Sequence, residues 1–168
     1  KLTRRDKKNM CGIFGQISKT KINRNNFEII VKHSEQRGVD SSGLTYYEDS
    51  AYKIIRADFN IEKLIKKVKP YESKIVLGHS RLITNGLSDN QPVVRDNIFV
   101  IHNGIITNED EVWNKIHAKR ELKIASELIV AIASECINNG LDISEIPNKV
   151  ISLCEGIIAC ALVILDES

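Results

Sequence analysis

The residue best placed for covalent chemistry is Cys11, in the run Met10-Cys11-Gly12-Ile13-Phe14-Gly15. Removing a methionine from in front of a small residue would leave Cys11 at the amino terminus, where a cysteine carries its own base. An α-amine has a reference pKa near ~8, so it accepts the thiol proton at neutral pH and later returns it to a leaving amine; no separate histidine is required. The other reading of the hexapeptide is a strand cysteine between small residues. The remaining thiols, Cys136, Cys154 and Cys160, sit inside apolar stretches, where a free thiol behaves as a small hydrophobe. No CxxC pair occurs, and the four histidines show no spacing that pairs with the cysteines, so a metal site is not expected.

Three further segments are polar, glycine-bearing corners that a core strand does not need. They are Arg37-Gly38-Val39-Asp40-Ser41-Ser42-Gly43, Gly78-His79-Ser80-Arg81-Leu82-Ile83-Thr84-Asn85-Gly86 and His102-Asn103-Gly104-Ile105-Ile106-Thr107-Asn108. Taken in order with CGIFG, they resemble the glutaminase domain of class II glutamine amidotransferases, a family of N-terminal nucleophile hydrolases. RGVDSSG and HNGIITN are most similar to the glutaminase half of glucosamine-6-phosphate synthase, whereas Asn90-Gln91-Pro92 looks more like the amidophosphoribosyltransferase branch. The resemblance covers nearly the whole chain from Met10 onward. It implies an α+β fold, a four-layer αββα sandwich with antiparallel sheets, and hydrolysis of L-glutamine to glutamate and ammonia through a thioester on Cys11. It implies no metal and no organic cofactor.

Thiolate attack on an amide generates an oxyanion that needs preorganised donors. Asn103 offers a side-chain NH₂ and Gly104 a backbone N–H beside it, and glycine lets a substrate approach the backbone without a Cβ clash. On a bare Asn-Gly signal a hairpin turn would be the reading; the resemblance makes the pair an oxyanion hole. Arg81 follows an apolar strand and presents a planar fork suited to a carboxylate, against the alternative of a surface ion pair. By resemblance Arg81 and Thr84 bind the α-carboxylate of glutamine, and Arg37 and Asp40 form the scaffold around the nucleophile. His79 is read as a packed strand-end histidine, and Ser41 and Ser42 as turn residues.

Three features depart from the family pattern. Where the family places an aspartate that grips the substrate ammonium, this chain has Ile124-Ala125-Ser126-Glu127. The ammonium would then be held by carbonyl groups such as that of Gly104, by Glu127 in a shifted register, or not at all. An unmade polar contact of this kind costs about 1 to 3 kcal/mol. Leu82 also replaces the tryptophan that follows the arginine in the sugar-phosphate branch. Residues 1–10 form a basic prefix with Lys1, Arg4, Arg5, Lys7 and Lys8 against Asp6; while attached, they would leave Cys11 acylated. They read as a propeptide or as upstream sequence ahead of a start at Met10, with the glutaminase domain over 11–168, a fragment or a stand-alone subunit.

The elements that must position these residues follow from periodicity. Residues 11–18 read as a strand, 25–36 as a helix burying Phe27, Ile30 and Val31, and 43–48 and 51–57 as a hairpin about Glu48, Asp49 and Ser50. A helix over 59–68 turns Phe59, Ile61, Leu64, Ile65 and Val68 inward and its lysines outward. Core strands are expected over 74–83 and 97–106, and a short helix over 109–116 capped by Asn108. A sandwiched helix over 126–138, another over 142–154 and a fully buried strand over 157–165 complete the set.

The 168 residues are 42% apolar and 27% charged, which suits one folded domain. The formal charge is +2, but residues 11–168 alone are mildly acidic, so nucleic-acid binding is not expected. No apolar run reaches the ~20 residues of a membrane span and the prefix is too polar for a secretory signal, so a cytoplasmic setting without membrane contact is expected. The expected partners are L-glutamine and a synthase domain or subunit that takes the ammonia. Two rivals stand beside this reading: an amidase for another small amide, and a degenerate glutaminase-like domain that senses an amino acid or binds a partner without turnover.

Overall fold

The computed structural model describes residues 11–82 and 90–165. They form two compact units, divided between Pro92 and Val93, each with its own antiparallel sheet. Among the described residues no helix is long and apolar enough to cross a membrane.

The first unit runs β1 (Gly12–Ile17), α1 (Arg24–Glu35), β2 (Ser41–Glu48), β3 (Ala51–Ala57), α2 (Ile61–Val68) and β4 (Ile75–Arg81). Its sheet has the order β1-β4-β2-β3. Each helix starts on an asparagine whose side chain accepts a backbone N–H: Asn23 from Asn26 at 3.0 Å, and Asn60 from Lys63 at 3.1 Å. The β2–β3 hairpin closes through Asp49 and Ser50 with φ of 51° and 63°, so Glu48 pairs with Ala51 and the strands leave the turn with matched twist. The core joins Phe27 and Val31 of α1 and Ile61, Leu64 and Ile65 of α2 to Leu44 and Val76 of the sheet.

The second unit runs β5 (Val93–Arg95), β6 (Ile98–Ile106), α3 (Glu109–Trp113), α4 (Ser126–Asn138), α5 (Ile146–Leu153) and β7 (Gly156–Ile164), with sheet order β5-β6-β7. Ten of the thirteen α4 residues are buried, which is why its sequence lacks a polar face. Leu128, Ile129 and Ile132 join Val93, Ile98 and Val100 of the sheet and Val150 of α5 in one core.

Several expectations need correction. Ser41 and Ser42 are not turn residues: they open β2 and are buried, and the Ser42 hydroxyl donates to the Phe59 carbonyl at 2.6 Å. Asn108 does not cap α3 with its side chain. Its Oδ1 accepts the Glu155 N–H and its Nδ2 donates to the Leu153 carbonyl, so it ties α3 to the turn before β7. The helix expected over 142–154 opens as a 3-10 turn at Ile143–Glu145 before Pro147 fixes the start of α5. The strand at 157–165 is not fully buried. β7 lies at the edge of its sheet, Ile157 is 74% exposed, and Cys160 is exposed rather than a core thiol.

Candidate functional site

In the first unit, the sheet topology gathers the motif residues at one end. Gly12 pairs with Ser80 and Ser41 pairs with Arg81, so the start of β1, the end of β4 and the start of β2 are level. Cys11 precedes β1, Arg81 ends β4, and Asp40 precedes β2. Arg37, just beyond α1, donates from Nε to the Cys11 carbonyl at 3.1 Å. The Asp40 N–H donates to the Arg81 carbonyl at 3.0 Å. The half-buried Cys11 Sγ faces the Leu82 carbonyl at 3.9 Å. Four of the seven residues singled out from sequence are thus brought together.

Packing makes this corner tight. A Cβ on Gly12 would stand 2.5 Å from the Ser34 hydroxyl, and one on Gly38 would stand 2.4 Å from the Arg81 carbonyl carbon. The Ser34 and Ser80 hydroxyls meet at 2.9 Å, closing the end of α1 onto β4 and giving each of these two buried hydroxyls a partner. Ser80 belongs to a quoted motif and Ser34 does not, and their pairing has no local signal because the two serines are 46 residues apart.

Thr84 lies outside the described residues. Asn90 Nδ2 donates to the Ser42 and Ala57 carbonyls at 3.0 and 3.3 Å, while Arg56 Nε donates to the Pro92 carbonyl at 2.8 Å.

In the second unit, Asn103 and Gly104 are within β6, opposite Ala159 and Ile158 of β7, so they are not the hairpin turn that the dipeptide suggests alone. Gly104 has φ of 157°, and a Cβ there would stand 1.8 Å from the Ile157 carbonyl oxygen. Only glycine fits this approach, and it leaves the backbone at 104 open on its exposed side. His102, just before the pair, is buried, and its Nδ1 lies 3.4 Å from the Ser126 hydroxyl at the start of α4. Burial pushes its imidazole below the ordinary value, opposed by a hydrogen bond at the Ile157 backbone.

Ala125 stands at the head of α4 with helical backbone angles and makes no side-chain cap. Glu127 is not the shifted substrate carboxylate. It is 2% exposed, accepts the Glu121 and Leu122 N–H groups at 2.8 Å each, and receives Arg95 Nη2 at 3.0 Å. A buried carboxylate is tolerable only when paired and hydrogen-bonded, and these donors meet that need inside the fold.

Comparison with known proteins supports the resemblance. No family model matches the chain. It is 27% identical over 167 residues to a glutamine–fructose-6-phosphate aminotransferase (isomerizing) of Agrobacterium fabrum, covering 94% of this chain and 27% of that protein. The enzyme of the same name from Sulfurisphaera tokodaii is 29% identical over 171 residues, covering 94% and 29%. The chain therefore spans less than a third of the length of these curated relatives. In structure it matches the glutamine phosphoribosylpyrophosphate amidotransferase of Bacillus subtilis with a TM-score of 0.68, at 16% identity, over 92% of this chain and 35% of that one. The resemblance read from the four motifs is borne out over nearly the whole chain, and so is the α+β fold with antiparallel sheets.

Proposed function

We propose that this chain, which resembles the class II glutamine amidotransferases in sequence and in fold, hydrolyses the side-chain amide of L-glutamine. The observation that carries the reading is the convergence of Cys11, Arg37 and Arg81 at one end of the first sheet. With Cys11 at the amino terminus, its amine takes the thiol proton and sulfur attacks the amide carbon. The tetrahedral oxyanion is met by the Asn103 NH₂ and the Gly104 N–H. Collapse breaks the C–N bond, the ammonium returns its proton to the departing nitrogen as ammonia, and a γ-glutamyl thioester remains. Water then attacks the thioester, glutamate leaves and the thiol is restored.

Arg81 and Thr84 bind the substrate carboxylate. Arg37 orients Cys11 through its carbonyl, and Asp40 supports the adjoining turn. The chemistry calls for neither a metal nor an organic cofactor. We assign residues 11–168 to the glutaminase domain and residues 1–10 to a prefix, a propeptide or upstream sequence, whose absence leaves Cys11 at the amino terminus. The ammonia is consumed by a synthase domain or subunit, and a reducing cytoplasm suits a reaction that depends on a free thiol. Protein lacking residues 1–10 is expected to release ammonia from glutamine, measured in a coupled assay, while protein that retains them does not. Equal turnover of both forms would sink the N-terminal mechanism.

One observation favours a second reading, an amidase for another small amide. Position 125 holds no carboxylate and Glu127 is engaged within the fold. Ala125→Asp discriminates the two. In a Cys11→Ala background, calorimetry is expected to show glutamine bound about tenfold more tightly, because a hydrogen bond to a charged group contributes roughly 1.5 to 3 kcal/mol and ~1.4 kcal/mol is one decade. Unchanged or weaker binding moves the other-amide reading ahead.

A further inference from the structure

Arg95 and Glu127 have no part in the chemistry above, yet they form the most enclosed ion pair among the described residues, with side-chain exposures of 16% and 2%. Arg95 ends β5, opposite Ile98 of β6, and its Nη2 reaches both Glu127 Oε1 at 3.0 Å and the Lys119 carbonyl at 2.6 Å. Glu127 takes the Glu121 N–H on Oε1 and the Leu122 N–H on Oε2. One guanidinium and one carboxylate thus hold residues 119–122 against the first turn of α4 by four hydrogen bonds. The next residue of the β5–β6 turn, Asp96, holds the same helix further along by accepting the Ser134 hydroxyl. The turn therefore fixes α4 at two points along its length.

The beginning of α4 also carries Ser126, whose hydroxyl meets His102, and His102 directly precedes Asn103 and Gly104 in β6. Displacing the first turn of α4 would be felt at the strand that supplies the oxyanion donors. We propose that the Arg95–Glu127 pair is a positioning device for the glutaminase reaction, setting the first turn of α4 and, through Ser126 and His102, the placement of Asn103 and Gly104. This rests on the proposed function. Glu127 acts here as a positioning residue and touches no substrate.

Glu127→Gln keeps the shape but places an NH₂ where a carboxylate oxygen accepted a backbone N–H. Arg95→Lys keeps the charge but loses the planar fork. In the processed chain, kcat for glutamine is expected to fall about tenfold or more in Glu127→Gln and less in Arg95→Lys, with KM within about threefold of the parent. Amide exchange at Glu121 and Leu122 is expected to quicken about tenfold in both. The double variant should be no worse than Glu127→Gln alone, because the two residues act as one unit.

Should Glu127→Gln fail to fold, Arg95→Lys carries the same kinetic and exchange measurements. A raised KM with unchanged kcat would overturn the proposal and return Glu127 to substrate binding. Unchanged kcat in the folded variants, or unchanged exchange at Glu121 and Leu122, would also overturn it. A parent that releases no ammonia from glutamine, while exchange still quickens in the variants, removes the proposed function and with it the catalytic role of the pair, leaving only a structural clamp.

Discussion

Cys11→Ala is expected to abolish ammonia release from glutamine, while Cys136→Ala, Cys154→Ala and Cys160→Ala each retain most of it. The thiolate is the nucleophile, so reactivity follows the ease with which a thiol loses its proton. Burial pushes the Cys154 thiol up to about 11, with the nearby Glu109 carboxylate adding to the shift. Burial also raises Cys136, and partial desolvation of the sulfur raises Cys160 although the residue is otherwise open to solvent. All three are therefore protonated at neutral pH. Cys11 alone has a chain position from which it can acquire a free α-amine, and its carbonyl is held by Arg37. Mass spectrometry after brief treatment with iodoacetamide should show Cys11 alkylated first in the processed protein. Equal loss of activity in any other cysteine variant, with its circular dichroism spectrum preserved, would remove Cys11 from the role assigned to it.

What is legible in the sequence depends on whether its signal is local. The boundaries of β3 and α4 were read to the residue, because Asp49-Ser50 marks a two-residue turn and an apolar run between Ala125 and Asn139 leaves no other register. β5 carries no such signal: three residues after Pro92 are too few to show alternation. Ser41 and Ser42 read as a turn on polarity alone, because the carbonyl that accepts from Ser42, that of Phe59, lies 17 positions away. β7 read as buried because an apolar run does not reveal that its strand will lie at a sheet edge.

The candidate site divides in the same way. Cys11, Arg37, Asp40 and Arg81 were visible as motif members, yet the bond from Arg37 to Cys11 spans 26 positions and follows only from the topology. Glu127 was visible as a carboxylate at the right helix, but its donors at 95, 121 and 122 were not, and they turn it from a ligand group into an internal one.

Arg81→Ala and Asn103→Ala are expected to fail in different ways, because the proposed mechanism has one group bind the ground state and the other chiefly meet charge that appears during reaction. Asn103→Ala should lower kcat by roughly 10² to 10³-fold with KM little changed, the usual effect of removing one oxyanion donor. Arg81 ends β4 with its carbonyl engaged by the Asp40 N–H, so alanine there keeps the backbone bond while removing the guanidinium. Its loss should raise KM strongly, since a bidentate pair with a carboxylate is among the stronger hydrogen-bonding arrangements. Gly104→Ala provides the companion to Asn103→Ala. The added methyl would meet the Ile157 carbonyl, so β6 and β7 must part at this point and the N–H at 104 moves with them. A kcat defect in Gly104→Ala like that of Asn103→Ala, with KM spared in both, is what one shared oxyanion hole requires. If steady-state kinetics instead give the same combined defect in kcat and KM for Arg81→Ala and Asn103→Ala, both residues are structural, and the donors must be sought elsewhere along β6.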